Sequence, residues 1–290
     1  MPQNLRATRR KIRTVQNIHK ITRAMKMVAA AKLRRVQAGV DNGRRYWDLL
    51  DRMIGHVASS AGEFTHPLLQ VSECQAPVAV VVIGGARGLC GSYNVSLLRT
   101  AQDFIERRRA GAKVITVGGK AWQFARREGW DIMDQFNSPD EEHRLFLARE
   151  ISRVARDHFL AGEVSAVHVV YTQFYSAIRH IPTVRQFLPI PPTEANDNGN
   201  GAGVSYIFEP PADELLASLL PRALDSAMYE MLLMSAAAEE GARMTSMSAA
   251  TDNAEEMITS LTREANRIRQ TQITTEILEV VSGAEALTSE

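Results

Sequence analysis

Residues 18–36 read IHKITRAMKMVAAAKLRRV, and this basic stretch with regularly spaced apolar residues decides the fold of the N-terminal part of the chain. It belongs to a longer apolar series whose steps are mostly three and four, the spacing of one side of an α-helix. No proline interrupts residues 3–66. The pattern predicts one helix over about residues 4–60, which would be roughly 84 Å long. The series is Ile12, Val15, Ile18, Ile21, Met25, Val28, Leu33, Val36 and Val40, resuming at Trp47, Leu50, Ile54, Val57 and Ala61.

The C-terminal part repeats this pattern over a greater length. Because proline breaks a helix interior, we expect a short helix over 212–219 and a main helix from Pro221 to about Gly283, roughly 93 Å long. The alternating steps of four and three in its second half are typical of a heptad seam. The seam residues are Leu224, Met228, Met231, Ser235 and Ala238, then Ala254, Ile258, Leu261, Ala265, Ile268 and Gln272.

Two helices of this length cannot bury their apolar residues within a small globule. We therefore expect them to pack on each other as an antiparallel coiled coil, and the Ala and Met residues of their seams favour close, adaptable packing. Residues 1–60 and 212–290 would form this coiled coil, with residues 61–211 as a separate domain. Two separate helical bundles are the alternative.

The middle of the chain changes its period and predicts a Rossmann-like α/β domain. Its apolar runs read as strands, and they alternate with amphipathic segments that read as helices, which favours a mostly parallel sheet covered by helices. Residues 191–203 carry no periodicity and predict a polar, mobile loop. The predicted strands are 77–83, 113–117 and 164–171, and the predicted helices are 95–110, 119–129 and 140–161.

The composition is that of a globular protein. Of the 290 residues, 45% are hydrophobic and 23% are charged, which excludes a wholly disordered chain. Two cysteines, Cys74 and Cys90, are too few for a disulfide framework and fit a reducing compartment. No stretch has the about 18–20 consecutive apolar residues that cross a bilayer, and residues 1–6 lack the apolar segment of a secretory signal. The sequence therefore predicts a soluble, cytoplasmic protein.

Charge is distributed unevenly along the chain. Residues 1–40 hold eleven basic side chains and no Asp or Glu, whereas the whole chain has a formal net charge of +1. The other 250 residues therefore sum to −10. Such an asymmetry indicates an acidic partner surface, which could belong to a protein, a nucleic acid or an anionic lipid. A solvated helix face is the alternative explanation.

Residues 84–94, GGARGLCGSYN, follow the first predicted strand and precede a helix. A glycine-rich turn in that place can bind phosphate through backbone N–H groups. However, a phosphate loop needs Lys and then Ser or Thr after its last glycine, and the dinucleotide-binding spacing is also absent. A tight structural turn is favoured. Cys90 within it is expected to be a packing thiol, because no nearby sequence feature supplies a base.

No other motif predicts catalysis or a metal site. The seven histidines have no metal-ligand spacing, and neither an H-E-x-x-H helix nor a paired-cysteine cluster occurs. The acids at 140–142 lie at a predicted helix start, where they favour the helix dipole. On its residues alone, the chain does not resemble an enzyme.

Residues 19–34 resemble, nearly residue for residue, the signature helix of the γ subunit of F-type ATP synthases. Further segments are similar to that family and occur in its order. The sequence departs from the family pattern at Gly85 and Ala86, which are usually Ser-Asp, at Ser248, usually Lys, and at Ile268, usually Ala. The matching segments are RGLCG at 87–91, YIFEP at 206–210, ARM at 242–244, AATDN at 249–253, RQTQITTEI at 269–277 and VSGA at 281–284.

The resemblance implies a rotor shaft, an antiparallel coiled coil that turns inside a ring of three α and three β subunits. Its foot, with the ε subunit, would be fixed to the membrane c ring, so that ion flow through that ring is coupled to ATP synthesis or hydrolysis. ATP, ADP and Mg would be bound by α and β, while this chain would be non-catalytic and bind no cofactor. It would lie peripherally at the cytoplasmic face of a bacterial plasma membrane, without inserting into it and without binding nucleic acid.

The resemblance also implies residue roles, for each of which ordinary seam or surface packing is the alternative. An acidic β loop would meet one basic set, the end of the last helix would form an apolar axle tip, and a short segment before that helix would touch the c ring. The β-subunit contacts are Arg23, Met25, Lys26, Arg243, Gln270 and Thr274; the axle tip is Ile277, Val280, Val281 and Ala284; the c-ring contacts are Tyr206 and Glu209; and Arg87, Gly88, Leu89, Cys90 and Gly91 form the structural turn.

Two other classes of protein stay open at this point. A nucleotide-dependent α/β enzyme is suggested by the glycine-rich turn. A nucleic-acid-binding coiled coil is suggested by residues 1–40, although their basic residues are interleaved with the seam, whereas a basic region that enters a groove normally lies outside its zipper. Neither class explains the paired terminal motifs.

Overall fold

A computed structural model describes residues 5–60, 66–70, 76–108, 111–191 and 209–288. Two long terminal helices enclose an α/β domain, which confirms the predicted fold class. The elements in chain order are α1 (Leu5–Ser60), β1 (Val78–Ile83), α2 (Tyr93–Glu106), β2 (Ala112–Val117), α3 (Gly119–Arg127), β3 (Asp131–Phe136), α4 (Arg144–Leu160), β4 (Val167–Phe174), β5 (His180–Leu188) and α5 (Ala212–Thr288).

The chain divides into two compact units. The terminal unit combines Met1–Val28 with Met244–Glu290, and the central unit is Ala29–Arg243. Each long helix therefore contributes one part to each unit. The predicted domain boundaries near residues 60 and 212 follow the ends of the long helices instead, and they stay a prediction.

The five strands form one sheet in the order β3-β2-β1-β4-β5. The first four are parallel, and β5 pairs with β4 antiparallel. Val80 and Val82 of β1 face α2 and α3, where they pack with Leu97, Leu98 and Ala121. The alternate residues of β1 point to the opposite face and are also buried, so both faces of this central strand are covered.

The sequence predicted three of the five strands and missed two. The predicted strand at 164–171 is present as β4, shifted three residues towards the C-terminus. β3 was missed because its apolar residues, Ile132, Met133 and Phe136, do not alternate with polar ones, and none of its residues is fully buried. β5 was missed because its polar and apolar residues alternate irregularly, with Pro182 inside the run. The three predicted helices are present as α2, α3 and α4.

The buried side of α1 differs from the predicted apolar series. Ile18, Ile21 and Val28 were expected in the seam, but they are 47%, 59% and 57% exposed. Each step of three residues falls short of a full helical turn, so a series of such steps moves around the helix. At 3.6 residues per turn, Ile12 and Ile21 lie about 180° apart. A spacing of seven keeps to one side, and the buried residues at that spacing are Thr8, Val15, Thr22, Ala29 and Val36.

In the terminal unit, α1 and α5 run antiparallel. Lys26 Nζ donates to Ser248 Oγ at 2.9 Å, and Thr251 Oγ1 donates to Thr22 Oγ1 at 2.9 Å, so the numbering rises on one helix as it falls on the other. In this register Leu5, the first residue of α1, lies level with Ile268. Ile268 is the last buried residue of α5, and the predicted seam residue Gln272 is exposed.

In the central unit the two helices also run antiparallel. A Cβ atom built on Gly39 of α1 would lie 3.6 Å from Leu233 Cδ2 of α5. Seven residues earlier on α1, the charge of Lys32 acts on the carboxylate of Glu239, six residues later on α5, so the numbering again rises on one helix as it falls on the other. The apolar residues of α5 expected in this part of the seam, from Leu224 to Ala238, are buried.

The expected break at Pro221 does not occur. α5 is continuous from Ala212 to Thr288, with Pro221 inside it, and it does not end at Gly283. Proline removes one backbone hydrogen bond, the bond to the carbonyl four residues earlier. Leu216, Leu220 and Leu224 are buried on both sides of the proline at a spacing of four, so tertiary packing holds the helix together across it.

Part of the sequence prediction falls outside the described residues. The loop expected over residues 191–203 is one such segment, apart from Pro191. Among the helices that the structure describes, none is long and apolar enough to span a membrane.

Shortening a side chain to alanine should affect stability differently on the two sides of α1. Leu33 is buried and Ile21 is exposed. We expect Leu33→Ala to lower the free energy of unfolding by about 2–4 kcal/mol through the lost contacts and the cavity left behind. Ile21→Ala should change it by less than about 0.5 kcal/mol. Urea denaturation followed by circular dichroism measures both values, and equal losses would restore the predicted seam.

Candidate functional site

The turn between β1 and α2 is built by its backbone conformation. Leu89 has φ 62° and Gly91 has φ 56°, so two residues close together adopt the left-handed region. This conformation is sterically unfavourable for Leu89, because its Cβ atom crowds the backbone there. Asn94 holds the turn together: its Oδ1 accepts the backbone N–H of Gly85 at 2.9 Å, and its Nδ2 donates to the carbonyl of Arg87 at 3.3 Å.

The space at the carboxyl end of β1 is small. A cavity of about 30 Å³ lies there, lined by residues that include Gly84, Tyr93, Arg144 and Glu239. This is room for one or two water molecules, whereas pockets for drug-sized ligands have about 300–1,000 Å³. The carboxyl end of β1 therefore lacks room for a nucleotide, because its glycines allow close packing: a Cβ on Gly84 would lie 2.9 Å from Ala121 Cβ. A larger cavity of about 430 Å³ lies between α2 and α3, with Asn94 at its edge.

Cys90 is a packing residue of this turn. It is 2% exposed and lies in an apolar cluster with Tyr93, Ala238 and Ala242. Burial raises the pKa of its thiol, and the negative charge of Glu239 raises it further. The thiol therefore stays protonated at neutral pH, the form that is a poor nucleophile.

Arg243 is held by carboxylates of its own helix. Its guanidinium donates to Glu239 Oε1 at 2.5 Å and lies 2.7 Å from Glu240 Oε1. The Arg243 side chain is only 11% exposed. Burial raises the pKa of Glu239, although the ion pair with Arg243 acts in the opposite direction. The two carboxylates therefore neutralise the charge of Arg243, which the family resemblance assigned to a contact with an acidic β loop.

The other basic residues of the predicted β-subunit contact lie in the terminal unit. Arg23 is exposed, and Met25 and Lys26 are half-buried. Lys26 bonds to Ser248, at the position where the family pattern has Lys. Serine accepts this hydrogen bond, whereas a lysine would place a second positive charge beside the first. Arg23 keeps its charge at the surface.

Beyond Ile268, the residues of α5 whose side chains are described, 269–282 and Ala284, are exposed. Gln270 and Thr274 lie there, and the Thr274 hydroxyl donates to the Gln270 carbonyl within the helix at 2.9 Å. The predicted axle-tip residues form the following part. Ile277, Val280 and Val281 are large exposed apolar side chains, and Ala284 is exposed as well.

The predicted c-ring contacts are only partly described. Glu209 is exposed just before α5. Tyr206 lies outside the described residues. Across the part of the chain with described side chains, no group of three His, Cys, Asp or Glu residues could hold a metal ion.

Comparison with known proteins gives the family. A family model described as ATP synthase matches residues 4–287. The ATP synthase gamma chain of Pelotomaculum thermopropionicum is 42% identical over 284 residues, covering 98% of this chain and 99% of that one. The gamma chain of Anaeromyxobacter sp. is 41% identical over 292 residues, with 98% and 99% covered.

The chain belongs to the ATP synthase gamma chain family. Solved structures agree on the fold. A chain of the Euglena gracilis mitochondrial ATP synthase has a TM-score of 0.67 at 17% identity, covering 98% of this chain and 94% of that one. A central stalk chain from Tetrahymena thermophila has a TM-score of 0.56 at 22% identity, with 79% and 99% covered.

The sequence did not single out four residues that make contacts at or beside the turn, namely Tyr93, Asn94, Ser235 and Glu239. Tyr93 and Asn94 were visible only as the end of the glycine-rich motif. Ser235 was assigned to the seam, although its polarity at a buried position was a signal. The spacing of Glu239 and Glu240 before Arg243 matches helical ion pairs and could have predicted that cluster.

The Cys90 thiol should be inert in the folded protein. In a Cys74→Ser background, we expect iodoacetamide to modify native Cys90 at least about tenfold more slowly than the urea-unfolded chain, because burial keeps the thiol protonated and shielded. Mass spectrometry of quenched samples measures both rates. Equal rates would show an accessible, reactive cysteine.

Proposed function

We propose that this chain is the central rotor shaft of a bacterial F-type ATP synthase. It couples ion flow through a membrane c ring to ATP synthesis or hydrolysis in a ring of three α and three β subunits. The observation that carries the proposal is the antiparallel pairing of α1 with α5 together with the extension of α5 about twenty residues beyond that pairing. Membership of the gamma chain family supports it.

The chain acts without catalysing a reaction. The cavity at the carboxyl end of β1 has only about 30 Å³, and Cys90 is buried, although residues 86–89 of the turn are exposed. These features disfavour a nucleotide site at this turn. ATP, ADP and Mg are then bound by the α and β subunits.

Coupling arises because the shaft contacts the three β subunits unequally. A bound element shifts a conformational equilibrium only by its different interactions with the competing states. Arg23 and Lys26 present positive charge on one side of α1, with the uncharged Met25 next to Lys26, and Gln270 and Thr274 present polar groups on α5. Turning these sets past an acidic β loop changes which β subunit meets them. Arg243 belongs to this contact only if its bonds to Glu239 and Glu240 rearrange.

The α/β domain connects the shaft to the membrane. With the ε subunit it is fixed to the c ring, and Tyr206 and Glu209 contribute to that contact. The chain lies at the cytoplasmic face of the membrane as a peripheral subunit, held by its partners.

The proposal is tested by assembling the chain with the α and β subunits of the same organism. A bead is attached to the α/β domain and the ring is fixed to a surface. We expect ATP to drive rotation of the bead in one direction. Assembly without rotation, or no assembly, would overturn the proposal.

Reversing the charge of Arg23 should uncouple the complex. Arg23→Glu brings a negative charge towards an acidic loop, and we expect proton or sodium pumping per ATP hydrolysed in membrane vesicles to fall at least about threefold. Arg13→Glu is the control, since Arg13 is also exposed on α1 but is not a predicted contact. If both variants pump as well as the wild-type complex does, the placement of Arg23 is wrong.

A further inference from the structure

Ser235 joins three elements of the central unit through buried hydrogen bonds. The Tyr93 hydroxyl, at the start of α2, donates to the Ser235 carbonyl at 3.2 Å. The backbone N–H of Thr172, in β4, donates to Ser235 Oγ at 3.3 Å. All three residues are buried. One residue of α5 is thereby bonded both to the sheet and to the helix that follows the glycine-rich turn.

The position of Thr172 explains why its amide needs this partner. β1 pairs with β4 only as far as Val170, and after Ile83 the chain leaves the sheet to form the turn. β4 continues to Phe174 without β1 beside it. The hydroxyl of Ser235 satisfies a strand amide in the region where the neighbouring strand has ended.

The bond from Tyr93 is compatible with an intact helix. A carbonyl oxygen has two lone pairs, so the Ser235 carbonyl can accept the tyrosine hydroxyl and still accept its own helical N–H. Burial raises the pKa of Tyr93, so the hydroxyl stays protonated and remains a donor. The bond therefore persists over the physiological pH range.

On α5, small side chains make the contacts with the turn beside Ser235. Ala238 and Ala242 of α5 pack against Cys90 and Tyr93. A Cβ built on Gly241 would lie 3.2 Å from Ala177 Cα, so the backbone after β4 lies close against α5. Apolar contact is not directional. Hydrogen bonds are directional, and the two at Ser235 fix both the rotation and the axial position of α5 against the sheet.

We propose that the Tyr93–Ser235–Thr172 junction is the torsional lock that transmits twist from the α/β domain into helix α5. This inference rests on the proposed rotor function. Twist applied to the domain at the membrane must reach α5, which runs without interruption to Thr288. Two ion pairs also join α5 to the rest of the domain, Arg156–Asp225 at 3.8 Å and Arg185–Glu230 at 3.5 Å, and their side chains are more exposed than those of the junction.

The test is the torsional stiffness of the assembled complex. The α and β ring is fixed and arrested with a non-hydrolysable nucleotide, and a bead is bound to the α/β domain through Arg107→Cys in a Cys74→Ser background. The angular variance of the bead reports the compliance between the domain and the ring. We expect the double variant Tyr93→Phe/Ser235→Ala to increase this variance about twofold, since two buried directional bonds are removed.

A matched control separates stiffness from stability. Val114→Ala removes two fully buried methyl groups from the cluster on the α2–α3 face of the sheet, away from Ser235. This variant should lower the thermal stability of the complex to a similar degree and leave the angular variance unchanged. ATP hydrolysis by the double variant should stay at the wild-type rate, because the contacts with the ring are untouched.

The outcomes distinguish the two proposals. If wild-type complexes rotate but the double variant has unchanged variance, the lock is wrong and the rotor function stands. If the control raises the variance as much as the double variant does, the junction is only one of many stabilising contacts and the inference fails. If wild-type complexes do not rotate, the proposed function itself fails.

Discussion

A helix satisfies its own backbone, but it cannot cover its own apolar side chains. α5 has 77 residues, so it needs a succession of partners along its length. Its first part is buried within the central unit, and Thr251, Ala254, Ala265 and Ile268 are buried in the terminal unit, where Thr251 bonds to Thr22. Beyond Ile268 the described chain offers no partner. Along its length, α5 is thus covered first by the central unit and then by the N-terminal part of α1, before its exposed end.

Small side chains at the contacts make the register precise. Ala29 of α1 and Ala254 of α5 are buried seam residues, and Thr22 bonds to Thr251 inside the seam. The Thr22 hydroxyl also donates to the His19 carbonyl, and the Thr251 hydroxyl has the Met247 carbonyl as a second acceptor. A shift of the helices by one turn would therefore break the hydrogen bond between them without leaving either hydroxyl unpaired. A pair of Thr residues thus specifies register in a way that Leu or Ile would not.

The long helices, β1 and β2 could be predicted from the sequence because each has a strong local period or a continuous apolar run. The buried side of α1 could not, because Thr8 and Thr22 are polar and Ile18 and Ile21 are apolar, and only the position of α5 decides which set is covered. The predicted helix break at Pro221 was wrong for the same reason, because tertiary packing of Leu220 outweighs the low helix propensity of proline. The basic residues of the predicted β-subunit contact could be recognised in the sequence. The ion pairs of Arg243, however, depend on Glu239 and Glu240, which lie four and three residues earlier on the same helix.

The two kinds of contact on α5 suit two different mechanical tasks. At Ser235 the bonds are directional and buried, and they resist any change of angle between helix and sheet. Near Ile277 and Val280 the exposed side chains are apolar, and contact with an apolar housing has no preferred angle. The Thr274 and Thr275 hydroxyls are bonded within their own helix, and the other polar side chains near that end include the charged Glu276 and Glu279. A shaft must be held firmly where twist enters it and must turn freely where it is only centred. The buried hydrogen bonds from α5 to other elements at Ser235 suit the first requirement, and the exposed apolar side chains near Ile277 suit the second.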